Sequence, residues 1–393
     1  MLLKAFWNRI ARPCWTNLNS RIRRTASSNS AMKRLHIKAG KKAYGLIKDG
    51  GFSFDSVSTY VGPAVGPRWL VASGFDLALI EGRKLGSKAR PVLLAGASAG
   101  AWRFAAWVQP EPAKSYTQLL KAYIRIPFKK THTPEMLRDA LVKVINAYVK
   151  DDAIPFALAN DHYRLAFTTA RARNMAASET ALVQWLGLGA AYLSNRMSSA
   201  NLSRFFERVV FYNGPRPPHF LFREHFRGRA VPLNPINFKY ALLASGAIPM
   251  IIAGIRDIYG APTGIYRDGG LVDYHLNHDY STREGGVTLF FHHQERVIPG
   301  WLDRNLLKRR PRPGVLDSVL LIHPSEELIQ TFPGGKVPDR DDFRIFVDDP
   351  KKRVKNWEDA VERCAPLGEI FTEAVESGKI RDLVERIEEP AAG

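Results

Sequence analysis

The chain has 393 residues, 45% of them hydrophobic, which is enough to bury the core of one large α/β domain or two ordinary domains. Its two cysteines, Cys14 and Cys364, lie far apart, which excludes a disulfide framework or a cysteine zinc site and indicates free thiols in a reducing compartment. The formal net charge is +19, but no aromatic–basic RNA-binding stretch or zinc-finger spacing accompanies it. Net charge is then the only feature that favours nucleic acid, and we do not expect it as a partner.

The positive charge is concentrated at the N-terminus. Residues 1–50 hold twelve Lys and Arg but only one acid, Asp49, and we interpret them as a basic arm, disordered or in contact with a membrane. The first 31 residues are rich in Arg and Ser, which suits a transit peptide, a membrane-surface helix or a disordered arm. A translation start at Met32 is the remaining alternative.

A membrane-spanning helix is not expected from the sequence. The longest apolar candidate, residues 241–255, is shorter than the roughly 18 residues that a span requires and is interrupted by Pro249. We therefore expect a cytoplasmic protein that contacts membranes, if at all, from the surface.

An α/β pattern begins after the basic arm. A strand is predicted at 56–61 and a helix at 69–81, where apolar residues recur at helical spacing. The run PVLLA at 91–95 is short and continuously apolar, as in a buried parallel strand, and a helix is predicted at 99–108. Strand, tight turn and helix therefore follow one another around residue 98.

The rest of the chain continues the mixture of helices and strands without a repeat or a clear linker. We predict one catalytic domain at 51–330, followed by a helical extension at 331–393 that packs on it and exposes helices within 356–387. The further predicted helices are 134–149, 180–196 and 240–247, and the further predicted strands are 163–170, 209–212, 286–291 and 317–322.

The turn after the apolar strand carries the pentapeptide GASAG at 96–100. G-x-S-x-G between a strand and a helix is typical of a nucleophile elbow, in which Gly96 and Gly100 permit the sharp turn. The Ser98 hydroxyl then projects beyond the sheet edge, and the helix N-terminus favours negative charge that develops beside it. Ser98 is therefore the candidate nucleophile.

Two later motifs accompany the elbow. The tripeptide Asp268-Gly269-Gly270 lets the backbone turn closely past another element, as is needed to bring a carboxylate to a distant serine, although an isolated DGG is more often an ordinary turn. The block ASGAIP at 244–249 has small residues ahead of a proline. We interpret this block as a tightly packed helix C-terminus with a purely structural role.

In this order, the three motifs resemble those of the patatin-like phospholipases, over roughly residues 55–280. The resemblance implies a three-layer α/β/α fold with a mainly parallel central sheet. It also implies a catalytic dyad of Ser98 and Asp268, with no metal, no histidine and no cofactor. The implied function is that of a lipid acyl hydrolase, a phospholipase or esterase whose substrate is a lipid or another acyl ester.

The chain departs from the family in the oxyanion loop, whose family pattern is G-G-G-x-[RK]-G. The nearest segment is AVGPRW at 64–69, in which Gly66 and Arg68 match, and the central proline has no N–H to donate. An oxyanion hole needs about two backbone donors near the developing charge. The candidate donors are the N–H groups of Val65, Gly66, Arg68 and Ala99.

The implied mechanism is acyl transfer through an acyl-enzyme, with Asp268 accepting the proton of Ser98 and later activating water. Two other functions remain open. The altered loop and the basic arm favour a catalytically silent protein that keeps the fold and binds lipid or membrane. A lipid acyltransferase would use the same acyl-enzyme with an alcohol in place of water.

Histidines offer a second catalytic arrangement. His323 follows Asp268 in the chain, so a Ser98–Asp268–His323 triad has the order found in α/β-hydrolases, but the H-G-G-G-type oxyanion motif is absent. Asp273, His275, His278 and Asp279 raise the question of a metal, yet their spacing matches no standard ligand set, and we interpret them as solvated loop residues.

A second cationic segment, KRRPR at 308–312, follows Trp301. Tryptophan beside cationic side chains is typical of a lipid headgroup layer, and we take contact with an anionic membrane surface as a hypothesis. An ordinary solvated face is the alternative.

Overall fold

A mixed β-sheet is the framework of the fold, as given by a computed structural model that describes residues 33–222 and 228–388. The sheet is buried on both faces, so its central strands are buried along almost their whole length and are mostly apolar. The strands are β1 Leu35–Ala39, β2 Val57–Gly62, β3 Val92–Ala97, β4 Tyr163–Ala172, β5 Phe206–Tyr212, β6 Gly228–Pro232, β7 Ile255–Arg256, β8 Ile265–Arg267, β9 Val287–Phe291, β10 Val319–Pro324 and β11 Val384–Arg386.

Helices follow or separate most of these strands. Several begin with a proline in their first turn, where the missing N–H has no intrahelical partner to lose. The α-helices of the described residues are α1 Lys41–Lys48, α2 Ser73–Glu81, α3 Ala99–Trp107, α4 Pro112–Ile124, α5 Pro134–Tyr148, α6 Ile154–Leu158, α7 Ala181–Met197, α8 Phe238–Ser245, α9 Glu326–Gln330, α10 Asp341–Ile345, α11 Pro350–Cys364, α12 Leu367–Glu376 and α13 Ile380–Leu383.

The strand order is β11-β1-β10-β9-β2-β3-β4-β5-β6, and β8 pairs with β4 and β7. The run from β10 to β4 is parallel throughout, whereas β1 is antiparallel to β10, and β5 to β4. Parallel strands bring their carboxyl ends to one edge, where loops build sites. The register aligns Gly62 at the end of β2 with Gly96 of β3, and Ala97 with Thr168 of β4.

The core is divided into two layers by the sheet. Alternate residues of one strand point to opposite faces, so Leu94 packs under the main layer of helices while Leu93 and Ala95 face the other side. That second side is covered by α7 and by 3₁₀ turns and loops. The predicted three-layer α/β/α fold with a mainly parallel sheet is therefore confirmed.

The first strand and helix lie inside the segment that the composition marks as a basic arm. β1 alternates inward Leu35, Ile37 and Ala39 with half-buried His36 and Lys38, and it joins the sheet between β10 and β11. The boundary predicted at residue 50 therefore differs from the structure, because the charge of this segment masks a half-buried strand. The transit-peptide, membrane-helix and Met32 alternatives for residues 1–31 lie outside the described residues.

Two other elements differ from the sequence-based expectation. The helix predicted at 69–81 is a 3₁₀ helix, Gly66–Ala72, followed by α2. The tail predicted to expose its helices instead buries Trp357 of α11 and Phe371 of α12 in the main core, and its last strand, β11, extends the sheet. Among the described residues, no helix is long and apolar enough to cross a membrane.

Candidate active site

The turn between β3 and α3 holds Ser98 in a left-handed backbone conformation, with φ of 52° and ψ of −121°. Such a conformation is strained in a residue other than glycine and is common at functional sites. The two glycines of the motif are required by close packing. A Cβ on Gly100 would lie 1.9 Å from the carbonyl oxygen of Gly62, and a Cβ on Gly96 would lie 2.7 Å from the carbonyl carbon of Gly100.

Ser98 and Asp268, which are 170 positions apart in sequence, meet at this turn. The Ser98 Oγ donates a hydrogen bond of 2.7 Å to the Asp268 Oδ2, and both side chains are buried. Asp268 directly follows β8, and its Oδ1 accepts a hydrogen bond of 2.7 Å from the Gly270 N–H. A side chain on Gly269 would clash with the carbonyl oxygen of Thr168 at 2.1 Å, so the DGG motif lets the carboxylate approach the sheet.

The surroundings of Asp268 strengthen it as a base. Burial raises the pKa of this carboxyl group above its usual range, while the charge of Arg340 and hydrogen bonds from Ser98 and Gly270 act in the opposite direction. A carboxylate with a raised pKa holds a proton more readily. Asp268 is thus better suited than an exposed aspartate to accept the proton of a hydroxyl group.

The block ASGAIP, for which the sequence predicts only a structural role, touches both residues of the pair. The Ser245 Oγ accepts a hydrogen bond of 2.8 Å from the Ser98 N–H and donates one of 2.7 Å to the carbonyl oxygen of Thr168. The Asp268 N–H donates to the carbonyl oxygen of Ala247 at 2.9 Å. Ser245 thus fixes the strained turn to β4, and Ala247 fixes the backbone of Asp268.

The loop after β2 supplies fewer backbone donors than its sequence suggests. The Ala64 N–H donates to the Tyr274 carbonyl oxygen at 2.7 Å, and the Val65 N–H donates to the Pro63 carbonyl oxygen at 3.1 Å. The Val65 N–H, a candidate oxyanion donor, is therefore already hydrogen-bonded within the loop. Gly66, Arg68 and Ala99 instead line a cavity together with Ser98. Ala99 begins α3, where an N–H has no partner within the helix.

That cavity has a volume of about 510 Å³, which is in the range of small-molecule sites. Its walls are largely apolar, and its polar rim carries Arg68, Arg304, Arg340 and Arg344 together with Asp339 and Asp341. The apolar wall is formed by Trp102, Tyr123, Ile126, Phe128, Leu137, Leu141, Ile248, Ile251, Ile252 and Phe343. A hydrocarbon chain fits such a wall, with its polar end towards Ser98 and the rim.

Arg340 is a site residue that the sequence does not indicate. It is half-buried and lines both the large cavity beside Ser98 and a small one beside Asp268. A Cβ on Gly66, whose φ is 56°, would lie 2.9 Å from the Arg340 Nε, so the guanidinium group rests against the bare backbone of that glycine. Within the described residues, no hydrogen bond or ion pair engages this guanidinium group.

The segment that carries Arg340 is anchored by the buried carboxylate of Asp342. This carboxylate accepts hydrogen bonds from the Trp357 Nε1 at 2.8 Å, the Asp339 N–H at 3.0 Å and the Lys336 Nζ at 2.7 Å. No local motif could have revealed the contact between Arg340 and Gly66, because it joins the tail of the chain to the loop after β2.

The histidines lie away from the Ser98–Asp268 contact. The His323 Nδ1 is 3.0 Å from the Pro324 carbonyl oxygen, and its ring stacks on His36 with centroids 4.9 Å apart. Asp268 contacts Ser98 directly, so the triad alternative receives no support from this arrangement.

Of the acid–histidine cluster after the DGG motif, Asp273, His275 and His278 are buried instead of solvated, and Asp279 is half-buried. Burial would raise the pKa of Asp273, but the charges of Arg208 and His278, 2.8 and 2.7 Å away, lower it well below its usual range. The His275 Nδ1 accepts a hydrogen bond of 3.0 Å from the Ile298 N–H. Within residues 33–222 and 228–388, no group of three or more His, Cys, Asp or Glu side chains is arranged to hold a metal ion.

Trp301 and the segment 308–312 lie near the cavity rim and α7. Trp301 lines the cavity, and the guanidinium group of Arg304 lies 4.7 Å from the centroid of a Trp301 ring. Arg309 donates a hydrogen bond of 2.8 Å to the carbonyl oxygen of Asn195 in α7.

Comparison with known proteins adds little to this geometry. No family model matches the chain, and no curated protein matches its sequence. Among solved structures, the fold is weakly similar to human GIVD cytosolic phospholipase A2, with a TM-score of 0.34 and 12% sequence identity. The match covers 91% of this chain and 64% of that protein, which is less than two thirds of its length.

Proposed function

We propose that the protein is a serine acyl-ester hydrolase that acts on lipid esters, with Ser98 as nucleophile and Asp268 as base. The observation that carries the proposal is the 2.7 Å hydrogen bond from the Ser98 Oγ to the buried Asp268 carboxylate at the wall of an apolar cavity. A strained serine between a strand and a helix, paired with a base, is the arrangement expected of an activated nucleophile.

The reaction proceeds in two steps in which Asp268 carries one proton. The Ser98 Oγ forms a bond to the ester carbon as its proton moves to Asp268, and the carbonyl π electrons become the lone pair of an oxyanion. The tetrahedral intermediate collapses, the bond to the alcohol oxygen breaks, and that oxygen takes the proton from Asp268. Water then adds to the acyl-enzyme by the same route, which releases the carboxylic acid and restores Ser98.

The oxyanion is stabilised by donors on two sides of Ser98. The Ala99 N–H lies at the N-terminus of α3, and the Gly66 N–H lies in the loop after β2. Arg340 adds a charged donor against Gly66. Hydrogen bonds from a charged donor are roughly twice as strong as neutral ones, and a water-poor cavity strengthens them further. Arg340 therefore compensates for the N–H groups that Val65 and Pro67 do not provide.

The test is covalent labelling with a fluorophosphonate probe, which requires an activated serine but no knowledge of the substrate. We expect labelling of the wild type at Ser98 and none of the Ser98→Ala variant. The Asp268→Asn variant keeps the shape of the base but loses its basicity, so its labelling should be strongly slowed. Ser203→Ala, which changes an exposed serine, is the matched control and should label as the wild type does.

Two results would contradict the hydrolase proposal. A folded wild type that does not label would favour a silent protein that binds lipid, in keeping with the altered loop. Unchanged labelling in Asp268→Asn would require a different base. If labelling occurs as expected, adding an alcohol to an ester assay separates hydrolysis from acyl transfer, because only a transferase yields mostly the new ester.

A further inference from the structure

Helix α7 presents large apolar side chains to solvent. Leu182 and Leu193 are 67% and 62% exposed, Trp185 is 62% exposed and Met197 is 85% exposed. Together with Leu186 they fall within an arc of about 120° on a helix of 3.6 residues per turn. The 17-residue helix is roughly 25 Å long, so this apolar face, defined by these five residues, extends over its whole length.

The opposite face of α7 is buried and carries the polar residues Gln184 and Asn195 beside the small residues Gly187 and Ala191. The Gln184 Nε2 donates to the Ser178 carbonyl oxygen at 2.6 Å, and its Oε1 accepts a hydrogen bond of 2.7 Å from the Met250 N–H. The Asn195 Nδ2 donates to the Asp303 Oδ1 at 2.7 Å. The usual orientation of an amphipathic helix is thus inverted, and hydrogen bonds hold the apolar face outward.

Cationic side chains lie around the C-terminal end of the apolar face. Helix α7 contains no acid, and its exposed Arg196 lies beside the apolar residues. The Arg309 contact with Asn195 brings exposed Lys308 and Arg310 to the C-terminal end of the helix. The 3₁₀ turns that pack against α7, Asn174–Ala177 and Ser199–Arg204, also contain no acid, and the second ends with exposed Arg204.

Two nearby acids are already engaged. Glu179 contacts the buried guanidinium group of Arg267, and the buried Asp303 accepts hydrogen bonds from Asn195 and from the N–H of Gly300. The charge around the apolar face is therefore positive, which complements an anionic surface.

The buried face of α7 contacts a segment that reaches the cavity. The hydrogen bond from Met250 to Gln184 joins α7 to the segment that follows α8, where Met250 and Ile251 are 40% and 43% exposed. Ile251 lines the cavity that contains Ser98. The segment that holds Met250 and Ile251 therefore connects α7 to the cavity and exposes two apolar side chains.

We propose that the apolar face of α7 docks in the interfacial layer of an anionic lipid membrane. Leucine, tryptophan and methionine on one face with a cationic rim are the features of a helix that lies in the plane of the interface. This inference goes beyond the proposed hydrolysis, because docking requires no turnover. It assigns membrane contact mainly to α7, with segment 308–312 as part of its rim.

The test measures sedimentation with vesicles in a Ser98→Ala background, so that hydrolysis does not alter the lipid. Vesicles contain equal parts phosphatidylcholine and phosphatidylserine, or phosphatidylcholine alone. Replacing Leu182 and Leu193 together by Asp should weaken partitioning to the mixed vesicles by at least about tenfold, because two buried apolar side chains are lost and two negative charges are added. Tyr259→Asp, which changes a 61% exposed aromatic residue outside α7, should leave partitioning unchanged.

A second variant protects the test against loss of folding. Trp185→Phe keeps the shape of the helix, and it should reduce the quenching of tryptophan fluorescence by brominated phosphatidylcholine. The proposal is overturned if the parent protein does not bind the mixed vesicles, if the double variant binds them equally, or if neutral vesicles bind as strongly. It is also overturned if the lipid-free protein is a dimer that the double substitution converts to monomers, because a second copy then covers the face.

Discussion

At the scale of single residues, the contact between Arg340 and Gly66 is the main difference between this site and a site with a glycine-rich oxyanion loop. A glycine-rich loop stabilises an oxyanion with backbone N–H groups alone. Here the Val65 N–H is bonded to Pro63, and a guanidinium group rests against Gly66. In the proposed mechanism, part of the oxyanion stabilisation thus comes from a side chain that lies far along the chain from the loop.

Replacing Arg340 by Gln should lower kcat on a neutral ester such as p-nitrophenyl butyrate by about 10²–10³-fold, with KM changed by less than about threefold, as loss of one oxyanion donor does. Arg340→Lys keeps the charge and should recover part of the rate. Since Arg340 lowers the pKa of Asp268, its removal should also shift the acid limb of the kcat/KM profile to higher pH.

The matched control is Arg363→Gln, which changes a half-buried arginine paired with Asp359 on α11, away from the cavity, and should leave both constants unchanged. If Arg340→Gln affects only esters that carry a phosphate group, Arg340 contacts a headgroup and not the oxyanion. If Ser98 labels normally but this variant turns over the neutral ester at the wild-type rate, the role given to Arg340 is wrong while the hydrolase proposal stands.

The sequence indicated that Ser98 and Asp268 would lie together because each is in a short motif whose glycines are needed for a sharp turn or a close approach of the backbone. It could not predict the roles of Ser245 and Arg340, which arise from contacts between segments far apart in the chain. Ser245 is recognisable only by its bonds to Ser98 and Thr168, and Arg340 only by its position against Gly66.

At the scale of elements, one buried carboxylate links the four elements that support the nucleophile turn. Asp76 of α2 accepts hydrogen bonds from Tyr60 of β2 at 2.6 Å, Arg103 of α3 at 2.7 Å and Tyr116 of α4 at 2.5 Å. All four side chains are essentially inaccessible to solvent. The orientation of α3, and with it the turn at Ser98, depends on this group of contacts.

Asp76→Asn should lower the free energy of unfolding by about 3–5 kcal/mol, because it leaves the charge of Arg103 buried without its partner. Urea unfolding measures this change. Arg138→Gln removes an exposed pair with Asp139 and should cost less than about 1 kcal/mol. If Asp76→Asn lowered the free energy of unfolding by as little as Arg138→Gln, the buried pair would contribute no more than a surface pair.

Helices and strands with a clear apolar pattern were predicted well, whereas strands that depend on pairing with distant strands were not. The apolar run PVLLA coincides with β3 within two residues, and the helix predicted at 134–149 coincides with α5. β1 and the two-residue β7 owe their existence to pairing with distant strands, and β11 has a single buried residue. β7 and β11 are too short to show periodicity, and the five-residue alternation of β1 lies in a strongly basic segment that masks it.

At the scale of the whole molecule, buried histidines make stability depend on pH. Burial lowers the pKa of His292 to about 3 and that of His323 to about 4, and it lowers the pKa of His275 and His293 as well. The unfolded chain protonates its histidines near pH 6.5, whereas these four remain neutral in the fold. The unfolded state therefore binds more protons between pH 6.5 and about 4.

The free energy of unfolding should accordingly fall as the pH decreases from about 6.5 to about 4. Below about pH 4, protonation of Asp273, whose pKa is lowered in the fold, adds to the loss. Asp268 acts in the opposite sense because its pKa is raised, so its contribution to stability diminishes as the pH increases. Urea unfolding at a series of pH values measures the combined slope.

His323→Gln provides the specific check. Its unfolding free energy should depend less steeply on pH over this range, by the contribution of one proton, whatever its absolute stability. A slope equal to that of the wild type would mean that His323 is protonated in the folded state as readily as in the unfolded one.

The position of β1 in the sheet has a consequence for how the chain is synthesised. β1 is the first strand of the described residues to leave the ribosome, and its two partners, β10 and β11, are the last two. At roughly 5–20 residues per second, tens of seconds pass before either partner exists. During that time a nascent β1 has no neighbour to pair with, and the cavity lacks the wall that residues 339–344 supply. Ser98 is therefore enclosed only after residues 339–344 have been synthesised.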